Sequence, residues 1–224
     1  KPHNEFARCL AETPPGAFVG PLYHWHLLTW SKRSQPTDRA VLVARDPRDQ
    51  IVSWIFSLCY SHQSEREVDI FHELLLSFQE DRPRLALMCE HWRNFHPAFR
   101  SILSEAPLPP SVFFTRYEEL VSKEVETFRR IADFLRWEVN GADLAKIVEA
   151  HSFSAQTGRR RGEEKIGSHL RKGTPGDWRH YFDATVGQFF ETRYPGLLEG
   201  LGYETSSTWY QSLPERSRRS FAAL

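Results

Sequence analysis

The sequence contains little cysteine and no excess of charge of either sign. Three cysteines occur among 224 residues (Cys9, Cys59 and Cys89), and no two of them form a CxxC pair. This odd number and spacing argue against a disulfide scaffold and a structural zinc site, so we expect a reducing, cytoplasmic location. The 29 Lys and Arg residues balance 29 Asp and Glu residues. Zero net charge argues against binding to DNA or to an anionic membrane through bulk electrostatics.

Long apolar runs are also missing, as are two common catalytic motifs. No run approaches the roughly 18 apolar residues that a membrane-spanning helix needs, and no signal peptide opens the chain. We therefore expect no membrane segment. Neither GxxxxGK[ST] nor GxSxG occurs, which argues against a P-loop kinase and a serine hydrolase. The length suits one globular domain with a sizeable core.

Residues 39–60 predict one strand–turn–helix unit. The run RAVLVAR, residues 39–45, is short, apolar and rich in β-branched residues, which is typical of a buried parallel strand. Asp46 suits an N-cap, Pro47 suits the first helical position, and Asp49 suits a capping-box-like contact. A helix from this point to about Tyr60 is predicted. Strand followed at once by helix indicates an α/β fold.

The remaining elements are predicted from apolar periodicity. The run VFFT, residues 112–115, predicts a second buried strand. Amphipathic helices are predicted over residues 68–79, 83–99, 123–136, 141–150 and 184–202. The polar, basic residues 205–224 are expected to form a C-terminal tail that is frayed or lies on the surface.

An anion site is indicated where the first strand ends. Arg45 stands at the carboxyl end of that strand, where α/β sheets bind ligands, and Ser53 follows eight residues later in the helix. A helix N-terminus attracts anions, and a guanidinium binds them through planar, charged hydrogen bonds. The alternative is that Arg45 only caps the sheet and Ser53 is an ordinary helix serine.

Two further segments carry candidate binding residues. Arg171 and Lys172 precede Gly173, so the backbone of this basic loop can approach a phosphate closely. Tyr117 directly follows the second strand and can stack on a base, and Ser152-Phe153 follow a helix. The alternatives are a solvated basic loop and core aromatics.

Four motifs together resemble sulfotransferases that use 3′-phosphoadenosine 5′-phosphosulfate (PAPS). They are RDPRDQIVS at residues 45–53, FTRYEEL at 114–120, RKGTPGDW at 171–178 and LLEGLGY at 197–203. Their order and separations agree with that family over about residues 17–204. The resemblance implies a single domain over residues 1–204, with a P-loop-NTPase-like parallel sheet flanked by helices.

The resemblance also implies an activity and a set of binding residues. The activity is sulfuryl transfer from PAPS to a hydroxyl of a small-molecule or glycan acceptor, which releases 3′-phosphoadenosine 5′-phosphate (PAP). Arg45, Ser53, Arg171, Lys172 and Gly173 correspond to the residues that bind the 3′-phosphate. Tyr117 would approach the adenine, with Ser152 and Phe153 on the other side of the base.

The family's catalytic base is a histidine upstream of the Arg45 strand. His24 is the first choice because it stands 21 residues before Arg45 between apolar flanks, and His26 is the second. A neutral imidazole, with an ordinary pKa of about 6.5, is suited to take a hydroxyl proton at physiological pH. Without the resemblance, His24-x-His26 could suggest a metal pair, but no third ligand is evident. We expect no metal.

One part of the family pattern has no counterpart before His24. The family's N-terminal strand and PxSGT-type loop wrap the 5′-phosphosulfate and supply a lysine, and neither is recognisable here. We expect that this segment is missing from the sequence, because the other motifs are intact. The alternative is a catalytically inactive, nucleotide-binding module. The run Arg159-Arg160-Arg161 is expected to be a solvated loop or a lip over the site, not a nucleic-acid surface.

Overall fold

The computed structural model describes residues 37–60 and 108–215, together with Glu12, Pro14, Gly16 and Ala17. The predicted helices over 68–79 and 83–99 lie outside the described residues, as do His24 and His26. The chain divides into two compact units. One unit comprises residues 1–40 and 92–113, and the other comprises residues 41–91 and 114–224. The residues discussed as a site below belong to the second unit.

Two strands form the sheet in the described part of the chain. Strand β1 spans Ala40–Ala44 and strand β2 spans Val112–Arg116. The Ala40 N–H donates to the Ser111 carbonyl at 2.9 Å, which joins the starts of the two strands, so they run parallel. Both predicted strands and the α/β class are confirmed.

Helix α1, Pro47–Tyr60, begins almost directly after β1. Asp46 caps it, because its Oδ1 accepts a hydrogen bond of 2.9 Å from the Arg48 N–H. The side chains of Ile51, Val52, Ile55 and Phe56 are buried. The predicted helix and its first position are confirmed. The capping-box contact of Asp49 is wrong, because the Asp46 N–H donates to Glu118 at 3.3 Å and the Asp49 carboxylate accepts from the backbone of a distant loop.

A run of helices follows β2. They are α2 (Tyr117–Ser122), α3 (Glu124–Leu135), α4 (Gly141–Ala150) and α5 (Phe153–Thr157). Side-chain oxygens of Asn140 and Ser152 cap α4 and α5. The helices predicted over 123–136 and 141–150 are confirmed. A 3₁₀ helix, Asp177–His180, comes next.

The single helix predicted over residues 184–202 is wrong. The structure contains α6 (Ala184–Arg193) and α7 (Leu197–Gly200) instead. Pro195 explains the break, because it has no N–H and disfavours helical torsion angles at the residue before it. Tyr194 accordingly leaves the helix, with φ −130° and ψ 59°.

The beginning of the predicted C-terminal tail is packed, not frayed. A second 3₁₀ helix spans Trp209–Ser212, and Trp209 is only 7% exposed. The Trp209 indole N–H donates to Glu191 at 2.9 Å, and the Ala184 N–H donates to the Pro214 carbonyl at 3.0 Å. The buried Trp209 and these two hydrogen bonds therefore hold residues 206–214 against α6. No helix among the described residues is long and apolar enough to cross a membrane.

Candidate functional site

The carboxylate of Asp49 joins the start of α1 to the loop that follows Arg171-Lys172-Gly173. Its Oδ2 accepts a hydrogen bond of 2.6 Å from the Gly176 N–H, and its Oδ1 accepts one of 2.9 Å from the Trp178 N–H. Burial raises the pKa of Asp49 and outweighs the opposing effects of Arg45 and of these two N–H groups. Two of the four sequence motifs are therefore hydrogen-bonded to each other.

Arg45 lies beside Tyr117. The Cζ of Arg45 is 5.0 Å from the centroid of the Tyr117 ring, so the ends of β1 and β2 bring these two predicted residues together. The Nε of Arg45 is buried and has no hydrogen-bond partner among the residues that the structure describes. A buried guanidinium N–H is costly without an acceptor, and a phosphate oxygen is a suitable one. Arg45 therefore fits an anionic ligand.

The two predicted serines lie at different kinds of helix position. Ser53 is half-buried in α1, one turn after Asp49, and residues four apart share a face of a helix. Ser152 is the N-cap of α5, where its Oγ accepts a hydrogen bond of 3.2 Å from the Ala155 N–H. Ser53 thus lies on the face of α1 that meets the loop, whereas the Ser152 hydroxyl is used by its own helix.

Arg171 and Lys172 converge on Asp177. Asp177 Oδ2 accepts from Arg171 Nη2 at 2.5 Å, and Asp177 Oδ1 accepts from Lys172 Nζ at 2.6 Å. Arg171 also pairs with Glu164 and lies over the Phe56 ring of α1, with its Cζ 4.0 Å from the ring centroid. The loop is thus fixed to α1 by an aromatic contact as well as by Asp49.

The charges of this cluster balance. The two cations Arg171 and Lys172 face the two carboxylates of Glu164 and Asp177. Burial opposes ionisation of Asp177, but hydrogen bonds and charge from Lys172 and Arg171 outweigh it and lower its pKa to about 2. Burial likewise opposes the charge of Arg171, but Asp177 and Glu164 raise its pKa. Both groups therefore stay ionised.

Phe153 and Gly173 are in direct contact. A Cβ at Gly173 would lie 2.5 Å from Cδ2 of Phe153, and the Gly173 φ of +68° favours glycine. The ring of Phe153 therefore occupies the place of a side chain at Gly173. This contact joins a predicted base-binding residue to a predicted phosphate-binding residue.

Two arginines of the run 159–161 bind the backbone of this loop. Arg159 donates to the carbonyls of Glu163, Leu170 and Arg171 at 2.5–2.8 Å, and Arg161 donates to that of Gly173 at 2.9 Å. Their Cζ atoms lie 5.2 and 5.6 Å from the Phe153 ring centroid. Arg160 alone matches the expected solvated arginine, because its side chain is 91% exposed. The roles of Arg159 and Arg161 were not predicted from the sequence.

Asp49 and Asp177 are organising residues that the sequence also did not reveal. Both lie inside motifs that carry the resemblance, so the motifs contain a signal, although neither acid has the chemistry of an anion ligand. The predicted residues meet in three groups, Arg45 with Tyr117, Phe153 with Gly173, and Arg171 with Lys172. Asp49 links the first group to the third, because it interacts with the Arg45 charge and bonds the residues on either side of Asp177. Among the described residues, no group of three or more His, Cys, Asp or Glu side chains could hold a metal ion.

Curated proteins with similar sequences are sulfotransferases. Cytosolic sulfotransferase 3 of Arabidopsis thaliana is 25% identical over 200 residues, which are 84% of this chain and 60% of that protein. Cytosolic sulfotransferase 8 of the same plant is 27% identical over 177 residues, which are 73% of this chain and 51% of that protein. Sulfotransferase 1E1 of Bos taurus is 19% identical over 172 residues, 72% of this chain and 55% of that protein. The chain thus spans between half and three-fifths of the length of these relatives.

Solved structures share the fold, and a family model matches most of the chain. Mouse sulfotransferase SULT7A1 complexed with PAP aligns with a TM-score of 0.53 and 19% identity, over 85% of this chain and 68% of that chain. Retinol dehydratase in complex with androsterone and inactive cofactor PAP aligns with a TM-score of 0.50 and 23% identity, over 86% of this chain and 56% of that chain. The model of the sulfotransferase domain matches residues 15–202. The chain therefore belongs to the sulfotransferase domain family.

Proposed function

We propose that this protein is a PAPS-dependent sulfotransferase that transfers a sulfuryl group to a hydroxyl of a small-molecule or glycan acceptor. The observation that carries the proposal is the pair of hydrogen bonds from Gly176 and Trp178 to Asp49. They attach the loop that bears Arg171, Lys172 and Gly173 to the helix that begins beside Arg45. PAP in the two similar solved structures supports the same cofactor here.

Each predicted residue then has a stated task. Arg45, directly after β1, and Ser53, in α1, bind the 3′-phosphate, and the basic loop contributes Arg171, Lys172 and the Gly173 backbone. Glu164 and Asp177 already neutralise the loop cations, whereas the Nε of Arg45 has no hydrogen-bond partner among the described residues, which supports Arg45 as a donor to that phosphate. Tyr117, Ser152 and Phe153 surround the base.

The chemistry requires an acceptor hydroxyl to lose its proton. When bound, PAPS supplies the sulfuryl group and is converted to PAP. His24 is proposed as the base that takes the hydroxyl proton, with His26 as the second candidate. The rest of the protein's contribution is positioning and charge stabilisation, as in phosphoryl transfer. We also propose a cytoplasmic location, since the two plant relatives are named as cytosolic enzymes.

Titration with PAP and with adenosine 5′-phosphate (AMP), which lacks the 3′-phosphate, tests the binding part of the proposal. The wild-type chain should bind PAP more tightly than AMP. Arg45→Gln should lower PAP affinity by roughly tenfold or more, the loss expected for a charge-assisted phosphate contact, and leave AMP affinity nearly unchanged. Arg160→Gln is the matched control, because it removes one positive charge from an exposed side chain. Equal affinity of the wild type for PAP and AMP would contradict the proposal.

Transfer assays on the full-length protein test the catalytic part. His24→Ala should reduce turnover by roughly a hundredfold or more, the usual contribution of a general base, and leave PAP affinity unchanged. If His26→Ala has that effect instead, the second histidine is the base. If the wild type binds PAP but transfers no sulfate to any acceptor of a broad hydroxyl panel, the protein is a nucleotide-binding module and the enzyme assignment is wrong.

A further inference from the structure

Arg48 is a buried cation that packs against two indole rings. Its side chain is 1% exposed, and its Cζ lies 3.7 Å from the ring centroid of Trp178 and 4.6 Å from that of Trp209. The two indoles meet edge to face, with their centroids 5.8 Å apart. A cation placed this way and removed from water is attracted strongly to the aromatic rings.

Two carboxylates complete the surroundings of Arg48. Asp46, the N-cap of α1, accepts from Arg48 Nε at 2.9 Å and from Arg48 Nη2 at 2.7 Å. Glu204 accepts from Arg48 Nη1 at 2.5 Å. The guanidinium therefore joins the start of α1, the first 3₁₀ helix and the residues that follow α7.

Trp209 and Glu204 belong to a segment beyond the matched family domain. The match to the family model ends at residue 202, and the segment comprises residues 204–214. It is closely packed on α6, because a Cβ at Gly187 would lie 2.5 Å from the Cβ of Tyr210 and 3.2 Å from Cδ1 of Leu213. The family pattern therefore does not account for the side chains that enclose Arg48 from this direction.

A continuous set of contacts connects Trp209 to the basic loop. Trp209 packs on Arg48, and Arg48 packs on the indole of Trp178. The Trp178 N–H binds Asp49, and the residue before Trp178 is Asp177, which binds Arg171 and Lys172. The Trp178 indole N–H has no hydrogen-bond partner within the described part of the chain, so ring contacts are what orient this indole. Without the Trp209 ring, Arg48 and the Trp178 indole would each lose one of the aromatic contacts that hold them in place.

We infer that Trp209, acting through Arg48 and through its own edge-to-face contact with Trp178, is a positioning residue for the loop that binds the 3′-phosphate. The C-terminal segment 204–214 is then a working part of the nucleotide site and not an appendage of the domain. This inference rests on the proposed function, because it assigns the loop the task of binding the 3′-phosphate. The role inferred for Trp209 is positioning, because its contacts are with Arg48 and Trp178 and the phosphate is assigned to the loop beyond them.

The test is the ratio of PAP affinity to AMP affinity, since only PAP carries the 3′-phosphate. Trp209→Leu should lower that ratio roughly tenfold, the size expected for losing a desolvated cation–π contact, and leave AMP affinity nearly unchanged. Trp209→Phe keeps a ring over Arg48 and should retain most of the wild-type ratio of PAP affinity to AMP affinity. Leu213→Ala is the matched control, because it loosens the same segment on α6 without removing a group that contacts Arg48.

The outcomes separate the inference from the proposed function. If the wild type itself does not prefer PAP to AMP, the proposed function fails. If the wild type prefers PAP, but Trp209→Leu keeps its ratio and lowers the unfolding temperature as Leu213→Ala does, Trp209 is merely structural and the inference is overturned. Should Trp209→Leu not fold, Glu204→Gln replaces it, because it removes one carboxylate partner of Arg48 from a partly exposed position. An unchanged ratio in Glu204→Gln would overturn the inference equally.

Discussion

Asp49 and Gly176 are 127 positions apart in the chain, yet the Asp49 Oδ2 accepts a hydrogen bond of 2.6 Å from the Gly176 N–H. The second oxygen of the same carboxylate accepts from Trp178. Both oxygens are therefore used, and both partners are backbone groups of one loop. These two hydrogen bonds fix the position of the loop relative to α1. They do so through a carboxylate whose charge burial disfavours, as the raised pKa of Asp49 shows.

Asp49→Asn should loosen the loop, because an amide offers only one acceptor oxygen and places N–H groups where the second acceptor is needed. We expect a loss of about 1–3 kcal/mol in the free energy of unfolding, the cost of a buried donor without a partner. PAP affinity should fall as well. Asp183→Asn is a suitable control, because Asp183 is a buried N-cap of α6 and asparagine caps helices about as well as aspartate. Urea unfolding and titration with PAP measure the two effects, and equal behaviour of the two variants would contradict the role of Asp49.

Gly173→Ala should be destabilising for two separable reasons. Alanine is strained at the φ of +68°, and its Cβ would meet the ring of Phe153 at 2.5 Å. Gly158→Ala has the strain alone, because the Gly158 φ is +67° and a Cβ there meets nothing within 4 Å. In urea unfolding, Gly173→Ala should be less stable than Gly158→Ala. The double variant Gly173→Ala/Phe153→Ala should lose about 1–2 kcal/mol less free energy of unfolding than the two single variants lose together. No such coupling is expected between Gly158→Ala and Phe153→Ala.

Most elements with a strong local signal were predicted, whereas contacts with distant partners were not. The apolar run before Arg45 and the Asp46-Pro47 start of α1 predict β1 and α1 nearly to the residue, because strand and cap signals are local. The break at Pro195 is not predicted, because the apolar spacing continues across it. Trp209 is predicted to lie in a tail, since Trp209-Tyr210 in an otherwise polar stretch shows no apolar periodicity.

The candidate site follows the same division. Cations, bases and glycines each suggest a ligand by their chemistry, whereas Asp49 and Asp177 act on the protein itself. An acidic residue that binds a backbone 127 positions away leaves no local pattern. The resemblance places both acids inside motifs, but only the folded structure shows their partners. The structure also shows that the basic loop carries no excess positive charge from Arg171 and Lys172, because Glu164 and Asp177 neutralise these two cations.

Glu164→Gln should strengthen PAP binding. Glu164 pairs with Arg171, so it competes for a cation that the resemblance assigns to the 3′-phosphate. Removal of its charge leaves the loop with one net positive charge, and we expect PAP affinity to rise roughly threefold to tenfold. Glu163→Gln makes the same change one residue away, at a pair with the exposed Arg160, and should have little effect. Titration at low and high salt gives the comparison, and weaker PAP binding by Glu164→Gln would show that Glu164 supports Arg171 instead of competing for it.

Asp177 should make the stability of the protein depend on pH in the acid range. Its folded-state pKa of about 2 lies below its ordinary value of 3.8, because Lys172 and Arg171 stabilise the carboxylate despite burial. The ion pairs therefore contribute fully above about pH 5. As the pH falls from about 4 to about 2, the unfolded chain takes up the proton first and that contribution, about 2 kcal/mol for a pKa difference of this size, is lost. Urea unfolding of the wild type and of Asp177→Asn should differ at pH 5, and the difference should shrink steadily below pH 4. The comparison is confined to pH 5 and below, because the imidazole of His180 contacts the same carboxylate, with Nδ1 3.1 Å from Asp177 Oδ1. A difference that stays the same down to pH 3 would mean that the carboxylate charge of Asp177 does not stabilise the loop.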